Sequence, residues 1–135
     1  MTDLLKPALY RREGTKADPG HPALLGGRCA SCGYVFFPVQ GYGCEKCGSL
    51  EITPHALSGT GRLLASARVH LHAGKGREAP FTVVAVRLDD GPIVRTLIAD
   101  ASGMVAVGQR MATALESVID SEGVERLDLR FAPEA

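Results

Sequence analysis

Residues 29–48 read Cys29-Ala30-Ser31-Cys32-Gly33-Tyr34-Val35-Phe36-Phe37-Pro38-Val39-Gln40-Gly41-Tyr42-Gly43-Cys44-Glu45-Lys46-Cys47-Gly48. Two CxxC pairs stand here, separated by the segment from Gly33 to Gly43, and no cysteine lies elsewhere in the chain. Glycine follows the second cysteine of each pair. A knuckle turn needs positive φ at that point, so that backbone N–H groups aim at the sulfurs, and glycine takes that conformation without strain. Tyr34 to Pro38 is β-prone, and its aromatics can cover a module too small for its own core. Tetrahedral Zn²⁺ on Cys29, Cys32, Cys44 and Cys47 is the natural occupant. Four thiolates close the coordination sphere and leave no water to activate, so the metal is read as structural. Iron is the competitor, although ferredoxin-type spacings differ. Two disulfides would suit an oxidising compartment.

The compartment is read from the ends and the apolar runs. The start, Met1-Thr2-Asp3-Leu4-Leu5-Lys6-Pro7, has no basic region followed by an apolar stretch. No apolar run approaches about 18 residues, the length needed to span a bilayer as a helix. A cytoplasmic protein with reduced thiols is the expectation.

With 135 residues the chain suits one domain core, burying roughly two-thirds of its unfolded surface. Hydrophobic residues at 45% and charged residues at 22% argue against wholesale disorder. Lys+Arg and Asp+Glu both total 15, and the resulting zero net charge counts against non-specific nucleic-acid binding. The charge is unevenly placed. Residues 59–97 hold Arg62, Arg68, Lys75, Arg77, Arg87 and Arg95 against Glu78, Asp89 and Asp90, whereas the C-terminal part is acidic. Such a basic middle suits an anionic small ligand or a charged partner surface, or is an ordinary solvated face.

Residues 1–25 form an arm, helical or irregular, with little core of its own. Pro7 interrupts its leucines, and Asp18-Pro19-Gly20 marks a turn. Residues 26–52 are the cysteine ribbon. Residues 56–133 carry five strands. Arg62 to His72 alternates and reads as a long half-buried strand. Phe81–Leu88 and Ile93–Ala99 flank the turn Asp89-Asp90-Gly91-Pro92. Residues 100–108 read as a connection with room for one helical turn. Gln109–Val118 and Val124–Phe131 complete the set. Five antiparallel strands, the first long, with a non-hairpin link between the third and fourth, describe a five-stranded OB-fold barrel. An SH3-like barrel or an open meander is the structural competitor. The overall class is mainly β.

The order of these pieces resembles the DUF35 family, whose members join a rubredoxin-like zinc ribbon to an OB fold. The matching stretches are Arg28 to Gly33, Phe37-Pro38, Cys44 to Ser49, Leu57 to Gly61, Ala79-Pro80-Phe81, Leu88 to Pro92 and Val107 to Met111. The arm departs from the pattern, because it lacks the aromatic-rich helix that many members carry there. The resemblance implies a non-catalytic accessory subunit of a thiolase-superfamily acyl-CoA enzyme (thiolase, acyltransferase or aldolase), assembled as a heterotetramer and helping to enclose acyl-CoA. A MaoC-type enoyl-CoA hydratase is the alternative partner. Arg62, Arg68, Lys75 and Arg77 are then the candidate contacts to CoA phosphates or to the partner.

No enzyme signature competes. No cysteine is left over as a nucleophile, and neither GxSxG nor HExxH occurs. Gly74-Lys75-Gly76 lacks the spacing of a phosphate loop. His70 and His72 share one strand face without a visible third ligand. A single-stranded nucleic-acid-binding OB module remains as a second class of function. It wants stacking aromatics in a basic groove, and the barrel holds only Phe81 and Phe131.

Overall fold

A computed structural model describes residues 2–69, 81–99 and 104–134. Among these residues there is no helix, and the arm is irregular. β1 (Leu24–Cys29), β2 (Val35–Phe36) and β3 (Ile52–Leu57) form an antiparallel sheet in the order β2-β1-β3. β4 (Thr60–Val69), β5 (Phe81–Leu88), β6 (Ile93–Leu97), β7 (Arg110–Ile119) and β8 (Glu125–Pro133) form a second, in the order β6-β5-β4-β7-β8. The parallel bridge Ile98–Phe131, with the Ala99 N–H donating to Phe131 O at 2.8 Å, nearly closes this sheet into a barrel. A five-strand antiparallel barrel after a cysteine ribbon is the architecture the alternation predicts.

The barrel core is Leu63, Val84, Val86, Leu88, Val94, Met111, Leu129 and Phe131, with Phe131 wholly buried. Leu24 and Leu57 join it from the base of the ribbon, so the two sheets share one apolar interior. Each such side chain contributes about 1.5–3 kcal/mol on burial.

β1 and β3 escape a propensity reading. Gly26 and Gly27 weaken β1 on paper, and Pro54 weakens β3. Their cause is steric: a Cβ at Gly27 would fall 2.5 Å from the Phe36 ring, so the strand must be bare where that ring packs.

The arm is irregular and, with little core of its own, adds to the shared one. Tyr10 is 3% exposed within the main cluster, Leu4 bridges to Leu127, and Tyr10 bridges to Leu24. β4 is not half-buried along its length: after Leu63 none of its side chains is buried. An irregularity between Leu63 and Ala65 also breaks its alternation. Arg62 and Ala65 pair with Arg87 and Ala85 on one face, whereas Arg68 pairs with Thr82 on the other. The helical turn expected within 100–108 is absent from Met104 onward, and residues 100–103 lie outside the described residues.

Candidate metal centre

Two near-identical turns build the site. In the first, the Gly33 N–H donates to Cys29 O at 2.8 Å and Gly33 has φ +81°. In the second, the Gly48 N–H donates to Cys44 O at 2.8 Å and Gly48 has φ +80°. Each turn is closed by a second bond, Cys29 N–H to Tyr34 O (2.9 Å) and Cys44 N–H to Ser49 O (2.8 Å). The serine hydroxyls of Ser31 and Ser49 join the knuckles at 2.8 Å, and Ala30 N–H donates to Glu51 O. The ends of the turns therefore face one another.

The sulfur atoms of Cys29, Cys32, Cys44 and Cys47 all lie within 4.8 Å of one another. Cys29–Cys47 and Cys32–Cys44 are each 3.6 Å apart. A disulfide needs about 2.05 Å, so these are four separate thiols. A tetrahedron of sulfurs at about 2.3 Å from a central ion has edges of about 3.8 Å, which these spacings match. The residues thus fit a four-coordinate metal ion. Among the described residues this is the one convergent group of metal-ligating side chains.

The backbone prepares the sulfurs for negative charge. N–H groups of Lys46 and Cys47 donate to Cys44 Sγ, both at 3.4 Å. The Cys32 N–H, then that of Ser31, bring Cys29 down to about 6, against a desolvation penalty. The Ser49 N–H favours the Cys47 thiolate, yet the neighbouring thiols of Cys29 and Cys32 outweigh it and push Cys47 up to about 12. Four thiolates this close repel one another, and a bound cation removes that conflict. Cys29 and Cys44 are buried while Cys32 and Cys47 are exposed at the rim.

The other sequence candidates do not converge. Arg62 is exposed, and its Nη1 donates to Gly108 O at 3.1 Å. Arg68 donates to Thr82 Oγ1 at 3.3 Å on the opposite face of the strand. Lys75, Arg77, His70 and His72 lie outside the described residues. Two features have no sequence signal. One is a groove of about 670 Å³ between the ribbon (Tyr34, Phe36, Phe37, Lys46) and the β5–β6 hairpin (Arg87, Asp90, Ile93). The other is a polar clamp at the junction of arm, ribbon and barrel. There Ser58 Oγ donates to Asp18 and meets Thr60 Oγ1, which donates to Asp89, and Arg110 grips Asp89 through two nitrogens at 2.7 and 2.8 Å.

Fold and site together define a four-cysteine ribbon joined to an OB-fold barrel. Residues 17–53 match the domain described as ChsH2, rubredoxin-like zinc ribbon, and residues 54–116 match ChsH2, C-terminal OB-fold domain. The two matches are contiguous, and the chain belongs to this ChsH2-type DUF35 family. A DUF35 domain-containing scaffold protein of Methanocaldococcus jannaschii is 28% identical over 116 residues, 82% of this chain and 81% of that one. Another, from Methanothermobacter thermautotrophicus, is 28% identical over 117 residues, 82% and 86% of the two chains. A chain of the solved Ltp2-ChsH2(DUF35) aldolase superposes with a TM-score of 0.64 at 23% identity, over 80% of this chain and 84% of that chain. That likeness establishes a shared fold. No helix among the described residues is long and apolar enough to cross a membrane.

Proposed function

We propose that this chain is a non-catalytic accessory subunit that binds and supports a thiolase-superfamily acyl-CoA enzyme. Cys29, Cys32, Cys44 and Cys47 would hold one Zn²⁺, whose contribution is to cross-link the two knuckles. The convergence of all four cysteines carries the reading, because it commits every thiol to a closed centre and leaves none as a nucleophile. The relatives named as scaffold proteins, and the neighbour named for an aldolase pair, support a companion role. The surface supports it too. Tyr42, Leu50, Met104 and Val107 are each at least 76% exposed and offer apolar contacts to a partner.

The anionic groups of acyl-CoA, or an acidic partner surface, would meet Lys75 and Arg77 together with Arg62 or Arg68, which lie on opposite faces of β4. Co-expression with a thiolase-superfamily enzyme encoded beside the gene tests the assembly. Size-exclusion chromatography with light scattering should give an α₂β₂ mass, and charge reversal at Lys75 and Arg77 should raise the enzyme's KM for acyl-CoA. An unaccompanied monomer, beside a fully active enzyme lacking it, would overturn the proposal.

A further inference from the structure

One rung of the barrel wall places Arg110, Arg62 and Arg87 side by side on β7, β4 and β5, and Ile93 of β6 ends the row. Ala65 and Ala85 form part of the next rung on the same face, which ends in Arg95. Like charges directly opposite on neighbouring strands destabilise a sheet. Arg110 is neutralised by Asp89 and Glu134. Arg62, Arg87 and Arg95 have no carboxylate within 4.0 Å among the described residues. By contrast, Arg126 and Arg130 on β8 are both ion-paired. Arg62 also feels the Asp89 charge, which leaves Arg87 and Arg95 as the cations of this face with no ion pair among the described residues.

The strand that borders this face is an edge. β6 ends the sheet order and meets β8 at its C-terminal side, through the Ile98–Phe131 bridge and Thr96 Oγ1 donating to Leu129 O at 3.4 Å, whereas no bridge to β8 forms at Ile93–Arg95 among the described residues. Leu88 N–H to Pro92 O, and Ile98 N–H to Thr82 O, fix the alternation of the β5–β6 ladder. Ile93 and Arg95 consequently turn their backbone groups away from β5. At the Ile93 end this edge opens into the groove between hairpin and ribbon, lined by Tyr34, Phe36, Phe37 and Lys46. The groove's two carboxylates are engaged: Glu45 accepts from the Tyr34 hydroxyl at 2.6 Å, and Asp90 accepts from Ser58 N–H at 2.7 Å.

We propose that β6 is a docking edge for an extended acidic segment of another protein, which adds as a strand beside Ile93–Arg95 and sets carboxylates against Arg87 and Arg95. Backbone pairing supplies the orientation and the arginines select the sequence, the division of labour typical of strand addition. An aromatic or aliphatic residue of the segment would enter the groove against Phe37 and Ile93. The inference does not depend on the partner being a thiolase.

The test uses the full chain and a labelled ten-residue peptide of alternating Glu and Val, with a Lys–Val peptide as control. Fluorescence anisotropy should show binding of the acidic peptide alone, weakened by added salt and at least about tenfold by Arg87→Glu/Arg95→Glu. Hydrogen exchange should show the Ile93 and Arg95 amides protected by the peptide, a readout that surface charge attraction alone would not move. No binding, binding without that protection, or binding untouched by the charge reversal would each overturn the proposal. So would competition by pyrophosphate with protection lost, which would make the face a small-anion site. A concentration-dependent dimer that protects the same amides without peptide would assign the edge to a second copy instead.

Discussion

The Tyr10 hydroxyl donates to Asp128 Oδ1 at 3.0 Å, and this bond ties the N-terminal arm to β8 across 118 residues of chain. The same oxygen accepts from Lys6 N–H at 3.1 Å and lies 3.1 Å from Leu127 O, so a buried phenol is fully satisfied. Asp128 is itself held by Arg130 Nε at 3.2 Å. Tyr10→Phe should cost about 1–2 kcal/mol, because it strands one buried acceptor. Tyr10→Ala should cost about 3–5 kcal/mol through the cavity it leaves. Urea unfolding followed by circular dichroism checks both. A neutral Tyr10→Ala would show that the arm does not contribute to the fold.

Alkali should report the same bond. Burial first, then the Asp128 charge, pushes Tyr10 up to about 12. The unfolded chain ionises its tyrosines near pH 10. The folded state keeps its proton longer, so this contribution is complete below pH 10 and is lost as pH rises through 12. Phenolate absorbance at 295 nm should therefore show a titration step near pH 12 that disappears in Tyr10→Phe.

Metal removal should act locally. Structural zinc supplies on the order of 10 kcal/mol in zinc-finger peptides, and the knuckles have no apolar core to replace it. Leu24 and Leu57, however, belong to the shared core. Cys44→Ala should abolish stoichiometric metal binding, measured by elemental analysis, and release residues 29–51. The pairing of Leu24 to Leu57 and the barrel should persist by hydrogen exchange.

Acid should loosen the clamp at the module junction. The Arg110 guanidinium, and then Thr60, hold Asp89 down to about 2 despite partial burial. A depressed carboxyl stabilises the fold above pH 3.8 and loses that contribution as pH falls from there through 2. Asp89→Asn should flatten this part of the acid-stability profile while costing less than about 1 kcal/mol at neutral pH, since the pair is partly solvent-screened.

A methyl group at Gly59 should do more damage than its size suggests. A Cβ there would stand 2.6 Å from Pro22 O and collide with Thr113 Oγ1, whose hydroxyl donates to that same carbonyl at 2.7 Å. Gly59→Ala should cost about 2–4 kcal/mol through overpacking and a lost hydrogen bond. Gly20→Ala, with open space around it, should stay within about 0.5 kcal/mol. Thermal melts of the two variants make the comparison.

The clustering of the four cysteines and the mainly β architecture were legible in the chain because both rest on local chemistry. Cys29 to Gly33 and Cys44 to Gly48 specify a turn within five residues each, and the nearly continuous apolar run from Phe81 to Leu88 or the alternation near Leu127 to Phe131 marks strands without knowledge of their neighbours. What the tertiary structure alone decided depends on which strand lies beside which. The irregularity at Leu63/Ala65 parts Arg68 from Arg62, although their spacing predicts one face. The bare strand at Gly26-Gly27 makes sense only with the Phe36 ring against it, and the arm is anchored through Leu127 and Asp128, more than a hundred residues away. The row Arg110–Arg62–Arg87 is three separate arginines in sequence and three neighbours on one rung in space, because register is a long-range property that no single segment encodes.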